Sequence, residues 1–161
     1  MPSGKEPASL EELKLGFLTI LHRLEGLYMQ ALYTPTRVID VSGRMVLWCS
    51  ELEVIWGEII LAYDRKNRDA IKAGTERSFN TQVVEHEHFV NASKGTAVYD
   101  NLARRNYAEK DRYTLKPYVV HTLRTQVFED LKPIGMRFAI RELCNQLSRS
   151  INHFSSINPT N

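Results

Sequence analysis

The chain has 161 residues, 43% apolar and 25% charged, with a formal net charge of +2. That size suits one domain able to bury a core without staples, and the composition is too apolar for a disordered chain. No apolar run approaches the ~18 residues of a membrane span. Met1 to Pro7 lacks the basic start and apolar block of a signal peptide, so a cytoplasmic or equivalent location and no membrane insertion are expected.

The first helix has a clear start. Ser9-Leu10-Glu11-Glu12 matches the capping box, in which the hydroxyl and the carboxylate each satisfy an orphan backbone N–H. Leu10, Leu13, Phe17, Ile20, Leu21, Leu24, Leu27, Tyr28 and Ala31 then recur at three and four. On a helical period they share a roughly 140° arc, the stripe of a core-facing helix over 10–33. Thr34-Pro35 ends it and caps the next helix, predicted over 35–65 and roughly 45 Å long. There Val38, Val41, Met45, Trp48, Leu52, Ile55, Trp56, Ile59 and Tyr63 point to the core, while Asp40, Glu51, Glu53 and Glu58 lie off the stripe. Gly43 is a place where this helix is weakened or bent.

Residues 66–77 carry no sustained stripe and read as a frayed helix end and a loop broken at Gly74. A helix over 78–93 is expected to turn Phe79, Val83, His86, Phe89 and Val90 inward, ending at Lys94-Gly95. A short segment over 97–110 has only Val98 and Leu102 as its apolar face, thin enough for a peripheral or partner-dependent helix. The helix at about 115–131 buries Val119, Val120, Leu123, Val127 and Leu131, with Pro117 in its first turn. After the break at Lys132-Pro133-Ile134-Gly135, a last helix over about 134–154 buries Met136, Ile140, Leu143, Cys144, Leu147, Ile151 and Phe154. The expectation is an all-α bundle of about five to six helices in one domain, with 1–8 and 155–161 as loose termini.

Chemistry-bearing motifs are few. Glu85-His86-Glu87-His88 contains one Glu-x-x-His spacing, but di-iron bundles need two such motifs and further carboxylates. His86 and His88 diverge by roughly 160° on a helix, so the segment reads as an inward and an outward histidine. No Gly-rich phosphate loop and no nucleophile-elbow serine is present, and neither a cofactor nor a metal is expected. Cys49 and Cys144 belong to no Cys-x-x-Cys pair and read as small core residues of a reducing compartment; a disulfide requires that the fold bring their helices together.

Two surfaces suggest partners. Arg104, Arg105, Tyr107, Lys110, Arg112, Tyr113 and Lys116 interleave cations with tyrosines in the segment 104–124, which suits phosphates and stacked bases, though Glu109 and Asp111 interrupt it. On the polar face of the last helix, Phe138 projects between Arg137 and Arg141, the composition of an interface anchor. The charge is also split. Residues 1–64 hold five Lys/Arg and nine Asp/Glu, residues 65–161 sixteen and ten, which favours self-association or a basic face for a polyanion.

Arg149-Ser150-Ile151-Asn152-His153 is similar to the arginine and histidine that HEPN ribonucleases place on a late helix, where a dimer composes the active site. That family separates the two by four to six residues, and here the gap is three. Residues four apart on a helix still meet. The resemblance covers these five residues and the fold class, and it implies RNA cleavage by Arg149 and His153. The leading expectation is a non-catalytic interaction or assembly module that binds itself or another protein. Nucleic-acid binding through 104–124 is the alternative, and a ribonuclease with a degenerate Arg/His pair is the second alternative.

Overall fold

The computed structural model describes residues 8–34, 38–93, 115–129 and 131–157. Among them 88% are helical, in six helices, with no strand. These are α1 (Leu10–Tyr33), α2 (Val38–Lys66), α3 (Arg68–Ala73), α4 (Phe79–Ser93), α5 (Pro117–Phe128) and α6 (Pro133–Ile157). The segment expected as a helix over 97–110 lies outside the described residues, as do 35–37 and the side chain of Val38.

Helix α1 begins as the capping box dictates. The Ser9 hydroxyl oxygen accepts the Glu12 backbone N–H at 3.1 Å, and the hydroxyl donates to Glu12 Oε1 at 3.2 Å. Leu10, Leu13, Phe17, Ile20, Leu21, Leu24, Leu27, Tyr28 and Ala31 are all buried. They pack against α2, which runs antiparallel: Gly16 lies beside Ile55, and the Arg23 guanidinium sits 4.9 Å from the Trp48 ring centroid. Gly16 permits this approach, because a Cβ there would stand 2.7 Å from Ile55 Cδ1. Val41, Met45, Leu52, Trp56 and Ile59 of α2 are buried as the stripe predicts, with Trp48, Ile55 and Tyr63 partly so; Ile60 and Ala62 join them.

Where the sequence suggests fraying after Arg65, the chain turns at Asn67 and makes the short α3. Gly74 ends it at φ +82°, a left-handed conformation that glycine adopts without steric cost. The turn returns the chain to α2. Asp64 accepts the backbone N–H groups of Phe79 at 2.8 Å and Asn80 at 3.2 Å, and Ser78 Oγ donates to it at 2.7 Å. Tyr63 and Phe79 stack with ring centroids 3.5 Å apart and planes 4° from parallel.

Helix α6 closes the bundle, contacting α5, α2, α4 and α1. Met136, Ile140, Leu143, Leu147, Ile151 and Phe154 are buried in a single apolar cluster shared with α1, α2, α4 and α5. The helix continues three residues beyond the expected end, to Ile157, so 155–157 are helical rather than loose. Helix α5 stops at Phe128, and Leu131 packs on the core from the connection instead. One inward expectation is overturned: Phe89 is 66% exposed. On a 3.6-residue period it stands about 80° from Phe79 and about 120° from Val83, off the face that buries those two residues.

Candidate interaction surfaces

The outer face of α2 carries an apolar stripe. Leu47, Val54 and Leu61, spaced by sevens, are 67%, 57% and 55% exposed, and Val46 stands beside them equally open. Gly43, Ser50 and Gly57 recur between them, also by sevens. A Cβ on Gly43 or Gly57 would meet nothing within 4 Å, so internal packing asks for neither glycine. Each costs roughly 1 kcal/mol of helix propensity relative to Ala. Large and small residues alternating at heptad spacing form a seam into which a second helix can settle closely. Arg44, Glu51, Glu58 and Arg65 border the seam on one side, all exposed. Reading only the inward stripe missed this second one; the seven-residue recurrence of Leu47, Val54 and Leu61 was its signal.

The second surface is the edge between α4 and α6. Phe138 is 55% exposed and meets the His86 ring edge-on, centroids 4.8 Å apart. His86 also lies 6.3 Å from the Phe89 ring, so two exposed phenyls flank one imidazole. The arginines beside Phe138 are engaged. Glu87 of α4 takes an ion pair from Arg137 and another from Arg141 at 3.0 Å. Burial pushes the Glu87 carboxyl up, but Arg137 and Arg141 outweigh it and hold the group below the usual carboxylate range. Arg137 and Arg141 thus clamp α6 to α4 and frame Phe138. The acidic and histidine side chains of 85–88 go separate ways: Glu85 pairs with Arg77 at 2.5 Å, Glu87 with the two arginines, His86 with Phe138, and His88 faces solvent. Among the described residues no group of three or more metal-ligating side chains forms.

Of the basic, tyrosine-containing segment, Arg104, Arg105, Tyr107, Lys110, Arg112 and Tyr113 lie outside the described residues. Its re-entry into the bundle is defined. The Leu115 N–H donates to Tyr28 Oη at 3.3 Å, and the Lys116 N–H donates to Gln146 Oε1 at 2.9 Å. Gln146 is buried on α6 and donates its amide to Glu142 at 3.0 Å. Lys116 is half-buried at the N-terminus of α5.

A third feature lies between α2 and α6. A groove of about 510 Å³ is lined by Ser42, Gly43, Met45, Val46, Cys49, Ser50 and Glu53 from α2 and by Cys144, Leu147, Ser148, Ile151 and Asn152 from α6. Cys49 and Cys144 are both free and partly buried, and they line this groove from opposite helices. Arg149 and His153 sit half-buried on α6, with the His153 ring 6.2 Å from that of Phe154. No helix among the described residues is long and apolar enough to cross a membrane. No protein-family model, curated protein or solved structure matches the chain.

Proposed function

We propose that this protein is a non-catalytic assembly module that associates with a second copy of itself through the outer face of α2. The observation that carries the reading is the seam of Leu47, Val54 and Leu61, exposed along roughly 20 Å of helix and interleaved with Gly43, Ser50 and Gly57. Water gains from covering such a stripe, and residues without bulk let two helix backbones approach. Charge order supports a self-complementary contact. Arg44, Glu51, Glu58 and Arg65 run plus, minus, minus, plus along one border, so an antiparallel copy shifted by one heptad sets Arg44 of each helix against Glu58 of the other, two opposite-charge pairs against one exposed Glu51–Glu51 contact. One helix face is small beside the roughly 800 Å² per partner of a stable interface. The association is therefore concentration-dependent.

The exposed pair Phe89 and Phe138 supplies the second docking point of the same reading, for a protein partner, with Arg137 and Arg141 holding it in place through Glu87. The working compartment is cytoplasmic or equivalent, where thiols such as those of Cys49 and Cys144 stay reduced. Size-exclusion chromatography with light scattering tests the central claim. Dimer is expected at high protein concentration and monomer on dilution, and Leu47→Glu with Val54→Glu should leave a folded monomer throughout. A wild-type chain that stays monomeric across a wide concentration range overturns self-association.

A further inference from the structure

We propose that Cys49 and Cys144 form a peroxide-reactive modification site, in which a small peroxide entering the groove between α2 and α6 converts the two thiols to one intramolecular disulfide. The placement argues for it. The two residues are 95 positions apart in the chain, yet the packing of α2 on α6 brings them to one groove, close enough for each thiol to shift the other's pKa. Both line a groove of about 510 Å³ that opens to solvent, so a molecule the size of hydrogen peroxide reaches them. The sequence holds no third cysteine to compete. Two core cysteines chosen only for their size need not meet; these meet where α2 and α6 leave a groove.

The pair is also asymmetric in the way that sequential oxidation requires. The neighbouring Cys144 thiol lowers the Cys49 pKa, against the opposing effects of burial and of Glu53. The Cys49 thiol, with burial and Glu53, pushes the Cys144 thiol up. These opposed directions make Cys49 the attacking sulfur of the proposal and Cys144 the resolving one.

The chemistry balances. The Cys49 sulfur donates an electron pair to one peroxide oxygen, the O–O bond breaks, and the departing hydroxide takes a proton to become water. Cys49 is then a sulfenic acid. The Cys144 sulfur attacks that sulfur, the S–S bond forms, the S–O bond breaks, and the hydroxyl leaves with the Cys144 proton as a second water. Two thiols and one peroxide give one disulfide and two waters, with two electrons passing from sulfur to oxygen. Closing the bond sets the sulfurs about 2.05 Å apart. Gly43, Val46 and Ser50 border both this groove and the seam on α2, so the test is run on dilute, monomeric protein, where failure of one reading leaves the other untouched.

Brief treatment of the full native chain with hydrogen peroxide, thiol blocking and non-reducing trypsin digestion tests it. The expected product is a linked pair of peptides, Met45–Arg65 with Glu142–Arg149, two hydrogens lighter than their sum and separated by reductant. It should form several-fold faster in the native protein than in the urea-unfolded chain. In Cys144→Ser, Cys49 should stop at sulfenic acid, captured by a diketone probe. Three results overturn the proposal: unlinked peptides whose cysteines remain thiols or pass to sulfinic and sulfonic acids, a link formed chiefly between chains, or equal rates in native and unfolded protein.

Discussion

Asp64, two residues before the end of α2, accepts the backbone N–H of Phe79 at 2.8 Å, so α4 is capped from another helix as well as by its own Ser78, whose Oγ accepts the Thr81 N–H at 3.2 Å. A carboxylate at a helix N-terminus satisfies orphan donors and meets the positive end of the macrodipole. Because the same oxygens also hold Asn80 and Ser78, the bond fixes the turn through α3 as well as the start of α4. Asp64→Ala should cost about 1–2 kcal/mol, and Asp64→Asn somewhat less, since an amide oxygen still accepts but without charge. Urea unfolding followed by Trp fluorescence measures both. A loss under a few tenths of a kcal/mol would show that the Tyr63–Phe79 stack and the Ser78 cap hold the start of α4 without Asp64.

The clamp at Glu87 gives a pH signature. Its carboxyl pKa is lowered in the folded protein, because Arg137 and Arg141 outweigh burial. A carboxyl with a depressed folded pKa contributes stability that is complete above its unfolded value, about 4.3, and is lost as pH falls through the folded value. Glu87→Gln removes that contribution. The site is partly solvated, so at neutral pH the loss should be only about 0.5–1 kcal/mol. The difference between wild type and variant, followed by thermal melts from neutral to acidic pH, should shrink towards zero below pH ~4. A difference constant across that range would mean that the side chain acts through packing instead of charge.

How far the sequence reveals this molecule depends on what each element leans against. The stripe of α1 is legible residue by residue because α1 faces partners along its whole length, so periodicity and burial coincide. Phe89 shows where that logic stops. On a 3.6-residue period it stands about 80° from Phe79 and about 120° from Val83, at the margin of the inward arc, where an aromatic side chain need not find a neighbour. The seam on α2 was equally present in the spacing of Leu47, Val54 and Leu61, but a second apolar stripe on an already assigned helix has no place in a one-core reading. The meeting of Cys49 with Cys144 lies beyond any local pattern, since it follows from how α2 and α6 cross. So does the engagement of Arg137 and Arg141 by Glu87, a residue of a different helix.

Gln146 is the buried polar residue that ties the basic segment back into the bundle. Its side-chain oxygen accepts the Lys116 N–H at 2.9 Å, and its amide donates to Glu142 at 3.0 Å. Gln146→Leu keeps the volume and removes both bonds, leaving the Lys116 N–H without its acceptor at the start of α5. The cost should be about 1–3 kcal/mol. Gln146→Glu restores the acceptor but sets a carboxylate against Glu142, so it should not rescue. Amide hydrogen exchange at Lys116 reads the local effect, with protection lost in the Leu variant. Protection retained there would assign the anchoring of this segment to Tyr28 and Leu115.

The glycines of α2 separate a seam used for assembly from one that is merely exposed. Gly43 and Gly57 sit within the helix with open space where a side chain would go. Replacing each by Ala lowers the entropy of the unfolded chain and raises helix propensity, so each should stabilise the isolated fold by about 0.5–1 kcal/mol. A second copy seated in the seam changes the sign for association, because each added methyl holds the two backbones apart. Gly43→Ala with Gly57→Ala should therefore melt at a higher temperature when dilute, yet need several-fold more protein to dimerise. Calorimetry on dilute samples and light scattering on concentrated ones read the two effects separately. If the melting temperature rises while the concentration needed to dimerise stays the same or falls, the glycines are no part of the contact, and the apolar stripe of Leu47, Val54 and Leu61 must meet its partner without close approach of the helices.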